Sequence, residues 1–131
     1  MKMEKEVQEW IEKVKGREFD LSKEEDLSIA LMNLISLEEH FYFSAMKTNN
    51  KTYLEMLNSI RTLRKTLLKK IVKNPKAEEW CISKHLLASS MRLIEVGTKE
   101  LNDNEKEAHF YFKAAFELYS LFFAINLKMV E

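Results

Sequence analysis

Apolar residues recur three and four positions apart over most of this chain, the spacing that lines one side of an α-helix. Val7, Trp10, Ile11 and Val14 begin the pattern and predict a short amphipathic helix within residues 1–16, closed near Gly16. Ser22 and, three residues on, Glu25 read as a capping box, in which two side chains take up free amides at a helix start. It opens a helix over 23–47, with Leu27, Leu31, Leu34, Glu38, Phe41 and Ala45 along one seam. Residues 48–50, Thr-Asn-Asn, form a tight turn, and a second helix runs over 51–73 to Asn74-Pro75. Pro75 suits a first helical position, because its fixed φ is helical and its missing amide would have no partner there; a third helix follows over 76–100. Asn104 with Glu107 is a second capping box, heading a last helix over 104–128. The four long helices have similar lengths, roughly 35 Å each at about 1.5 Å per residue. Connections of a few residues make sequential neighbours antiparallel. The pattern predicts an all-α fold: an up-down antiparallel four-helix bundle with a short additional N-terminal helix, one domain over 1–131.

Composition narrows the function classes. Two Gly and one Pro in 131 residues leave too few turns for a sheet-rich fold. Lys and Arg, 21 together, match 21 Asp and Glu, so the chain lacks the basic excess of a nucleic-acid coat, which argues against nucleic acid as a partner. Cys81 is the sole cysteine; an internal disulfide and a four-thiolate zinc site are excluded. The longest apolar stretch, residues 118–127, falls short of the roughly 18 residues of a membrane helix. With a charged N-terminus unlike a signal peptide, the expected location is the cytoplasm, away from membranes.

Two stretches invite a chemical reading. Glu-Glu-His-Phe-Tyr-Phe occupies 38–43, and Glu-Ala-His-Phe-Tyr-Phe recurs at 107–112. Carboxylate-bridged di-iron bundles place Glu and His three apart, so that both project inward. Here Glu38 and His40, like Glu107 and His109, are two apart and about 200° from each other on a helical wheel. The expectation is two aromatic core segments with surface histidines, and neither a metal nor a cofactor.

Glu38 nevertheless interrupts an apolar seam, and Arg64 does the same among Tyr53, Leu57, Ile60, Leu67 and Ile71. An antiparallel turn near Asn49 brings the two within about one helical turn. Since a lone buried charge is very costly, they are expected to pair, either fixing helix register or lining an internal pocket. On the third helix, Trp80, Leu87, Met91 and Ile94 form one apolar stripe and Ile82, Leu86 and Leu93 a second. Cys81, His85, Ser89 and Arg92 make a polar strip between them. Cys81 and His85, four apart, could share a ligand, though two side chains without a third make a poor zinc site. No catalytic residue stands out; "SSMR" at 89–92 is mid-helix and lacks the exposed elbow of a serine nucleophile. Residues 61–76 hold seven basic residues and no acid, with Lys65, Lys69, Lys70 and Lys73 outward.

From Val96 onward, Val96-Gly97, Ala108, Phe112 and Ala115 resemble a tetratricopeptide repeat over about 20 residues, with a turn one residue short and no second copy. In size and helicity the chain is also similar to HEPN-type domains, but no Arg precedes a His at their nuclease spacing. No family is assigned on these likenesses. The last helix is apolar on most sides, with Ala108, Phe112, Ala115, Tyr119 and Phe122 on one stripe. Phe110, Ala114, Leu118, Leu121 and Ile125 form another. The leading expectation is a non-catalytic bundle acting through protein–protein contact, most simply a homodimer through this helix. The alternatives are a small-ligand or metal-binding bundle, or an enzyme built on one, using Glu38, Arg64, Cys81, His85 and Arg92, and an RNA or acidic-partner binder using 61–76.

Overall fold

The computed structural model of the chain describes residues 21–127 together with Lys5, Gln8, Glu9 and Glu12. Val7, Trp10, Ile11 and Val14, which carry the expected lead-in helix, lie outside the described residues, as does Lys128 at the expected end of the last helix. The fold is all-α, with helices packed in close pairs and no strand among the described residues.

Helix α1 spans Ser22–Thr48. Leu21 is its N-cap, without a side-chain cap, and the Leu21 carbonyl accepts the Glu25 amide at 2.8 Å. Ser22 is therefore already helical, and the capping box expected with Glu25 does not form. Glu24 and Glu25 still place negative charge at the positive end of the helix dipole. At the other end Asn49 adopts a left-handed conformation, φ 56°, and its amide donates to the Ala45 carbonyl at 2.9 Å. Asn is among the few residues that enter this region cheaply. Asn50 then turns extended, and its Oδ1 accepts the Thr52 amide at 3.0 Å, capping α2, Lys51–Leu68.

The second helix stops five residues short of the expected 73. Pro75 disfavours the helical region for the residue before it, and Asn74 takes φ 50° instead. Upstream, the Lys70 amide turns to Leu67 at 3.0 Å, a tightened final turn from which Ile71 and Val72 bury their branched side chains. Pro75 does not open the next helix either: Ala77 is also left-handed, at φ 51°, and α3 begins only at Glu79 and runs to Glu100. The Glu79 carboxylate accepts the Lys76 amide at 2.8 Å, closing this connection. Helix α4, Glu105–Asn126, follows Leu101–Asn104, and Asn104 Oδ1 accepts the Glu107 amide at 3.1 Å. Only that half of the second capping box is made, because the Asn104 amide donates to Glu100. The helices have 27, 18, 22 and 22 residues, so their lengths are not matched.

By internal contacts the chain divides into two compact units, Leu21–Asn74 and the part from Pro75 onward. In the first, α1 and α2 form an antiparallel hairpin around Leu31, Met32, Ile35, Ala45, Leu68, Ile71 and Val72. In the second, α3 pairs with α4, and the fully buried heptad line on α3 consists of small residues. Ser83, Ser90 and Gly97 are buried at seven-residue intervals on α3, and Ala108, Ala115 and Phe122 repeat that interval on α4. Gly97 lies against the Phe112 ring, and Ser83 accepts a hydrogen bond from Asn126; these contacts are fourteen residues apart on both helices. A repeat of seven on each partner is the packing of antiparallel coiled-coil helices. The two apolar stripes expected on α3 are accordingly rotated: Ile82 and Ile94 are exposed, while serines take the buried line. Ser90 Oγ donates to the Leu86 carbonyl of its own helix at 2.7 Å, and Ser83 Oγ accepts from Asn126 Nδ2 across the pair at 3.0 Å.

Candidate functional site

The interrupted seams of α1 and α2 meet as expected. Arg64 Nε donates to Glu38 Oε2 at 2.8 Å, and Nη2 donates to Oε1 at 3.0 Å. The side chains are 3% and 12% exposed, Arg64 and Glu38 respectively. Short turn geometry produces this: with only Asn49 and Asn50 between the helices, register is fixed, and residues 26 apart come face to face. Such a two-bond fork is the strongest geometry open to a guanidinium and a carboxylate. Both carboxylate oxygens are engaged by Arg64. Among the described residues no buried side-chain nitrogen or oxygen lacks a partner. The arrangement locks register; as a general base Glu38 would first have to release Arg64.

Cys81, His85 and Arg92 all lie exposed on α3 in the second unit, as does Ser89. The strip they form is the solvent side of that helix, not a lining between two buried stripes. Among the described residues no three His, Cys, Asp or Glu side chains are grouped to hold a metal ion. Of the basic residues, Lys69, Lys70 and Lys73 are exposed and Lys65 is half-buried.

The repeated aromatic stretches behave differently from the expected core segments. His40 and His109 are at the surface, but so are Tyr42, Phe43 and Phe110, while Phe41, Tyr111 and Phe112 are half-buried. Phe41 stacks on Tyr53 across the first hairpin at 6.3 Å between ring centres. The exposed Tyr42 and Phe43 meet edge to face at 5.2 Å, and the exposed Phe110 meets the half-buried Tyr111 in the same way at 5.7 Å. One depression was not anticipated from the sequence. At the α3–α4 turn Leu101, Glu105, Lys106, His109 and Phe112 border an open pocket of about 550 Å³. The signal for it was faint: Lys106 and His109 are three apart at a helix start, beside an aromatic residue packed on Gly97.

Compared with protein-family models, with curated proteins and with solved structures, the chain matches none.

Proposed function

We propose that this is a non-catalytic helical protein that works through protein–protein contact, most simply by forming a homodimer through α4. The observation that carries the reading is the outer side of α4, where Phe110 is 65% and Phe116 52% exposed. On a helical wheel the two rings flank Lys113 at about 60° to either side, so the exposed arc is a polar strip edged by aromatics. That arc spans residues 110–116 of the helix. Further on, Phe122, Phe123 and Ala124 point in three directions about 100° apart and are all buried. Aromatic side chains are the residues most often found at the energetic centre of protein interfaces, where covering them releases water from a large rigid surface. Phe43 and Met46, more than half exposed on α1, add apolar surface of the same kind.

Light scattering at micromolar concentration tests the reading, with a dimer mass expected for the natural chain. Phe110→Ser combined with Phe116→Ser should give a monomer with an unchanged helical circular dichroism spectrum. A monomer mass for the natural chain would remove the proposal.

A further inference from the structure

We infer that the outer face of α2 is a docking surface for an acidic amphipathic helix of a partner protein. Residues 61–76 carry seven basic side chains and no acid, and the fold uses only one of them, Arg64, internally. Of the other six, Arg61, Lys69, Lys70, Lys73 and Lys76 are exposed and Lys65 is half-buried. Among the described residues no carboxylate lies within ion-pair distance of any of these six charged groups. Lys65 and Lys69 complement the negative end of the α2 dipole, an effect confined to the last turn, which leaves most of the cluster unexplained.

The exposed side of α2 that leads into this basic segment carries apolar surface. Met56 is 44% and Leu63 47% exposed, seven residues apart, and Lys70 continues the interval just past the helix end. Ser59 and Thr66, both exposed, fall between them, so the row steps alternately by four and three, the seam of a coiled coil. Within α2 only Arg64 and Leu68 are buried, so this seam faces outward. A partner helix with an apolar stripe would cover Met56 and Leu63, and acidic residues flanking that stripe would meet Lys69, Lys70 and Lys73. A phosphate backbone gains nothing from Met56 and Leu63, and residues 61–76 contain no aromatic side chain on which a base could stack. The combination selects a polypeptide over RNA, and it does not depend on self-association through α4.

The test titrates the full chain against a fluorescent synthetic helix with leucine at its seam positions and glutamate elsewhere. Saturable binding that weakens with salt is expected. The triple change Lys69→Glu, Lys70→Glu, Lys73→Glu should weaken it about tenfold or more, and Leu63→Ser several-fold. The same peptide with glutamine in place of glutamate should not bind. All the changed residues are exposed, and an unaltered circular dichroism spectrum and scattering mass would show that fold and self-association persist. Absence of binding, or binding indifferent to Leu63→Ser, would overturn the inference. So would a single-stranded or duplex RNA that binds at least as tightly as the acidic peptide.

Discussion

Arg64 keeps its charge in the interior because Glu38 supplies two acceptors at 2.8 and 3.0 Å, and removing either partner strands the other. Glu38→Ala is expected to destabilise the protein by about 3 kcal/mol, the cost of an uncompensated buried charge. Replacing both residues by Leu should recover most of that loss, since the pair's attraction is largely spent on its own desolvation. Urea denaturation of the two variants measures both effects, and a single variant as stable as the natural chain would contradict the pairing. This contact was legible in the sequence for a simple reason: two charges each broke an apolar seam, and a two-residue turn left one register to choose. Ser83 and Ser90 were not legible. Serine is counted as polar, yet here each hydroxyl is satisfied close by and the small side chain is what the neighbouring helix requires.

At the level of elements, the α3–α4 hairpin depends on closeness, and Gly97 is its tightest point. A methyl group built on Gly97 would sit 2.7 Å from Phe112 Cε1 and 2.8 Å from Cδ1, so the ring or the helix must move. Gly97→Ala is expected to cost about 1–3 kcal/mol despite the better helix propensity of Ala. Combining it with Phe112→Leu, which removes the ring, should restore part of the loss in a thermal melt. The α1–α2 turn offers the opposite case. Asn49 sits at φ 56°, where a glycine is unstrained and a Cβ-bearing residue without Asn's local hydrogen bonding is not. Asn49→Gly should be neutral to within about 0.5 kcal/mol, and Asn49→Val destabilising by about 1–2 kcal/mol. The early end of α2 shows where element reading fails. Lys69 to Lys73 continue the helical spacing, but that spacing cannot say that Ile71 and Val72 bury better after a tightened turn.

For the whole molecule, charge is balanced in sum but unevenly spread. Every charged residue in 61–76 is basic, and the rest of the chain holds the matching excess of acid around a formal net charge of zero. Copies of a neutral protein do not repel one another at long range, which leaves its exposed aromatics free to meet. Self-association through exposed apolar side chains should therefore change little between low and high salt at neutral pH, and scattering mass across a salt series checks this. Among the described residues no helix is long and apolar enough to cross a membrane.

The Glu38–Arg64 fork also limits how this sequence can drift. A change at one position alone is expected to destabilise the hairpin more than a matched change at both. In a library randomised at the two sites and selected for folded protein, survivors should fall into two islands. One would be acid facing base, in either order where space allows, and the other apolar facing apolar. Mixed combinations should be depleted even when each residue survives in its own island. The hairpin would then carry a two-letter inheritance, read jointly across 26 residues of chain.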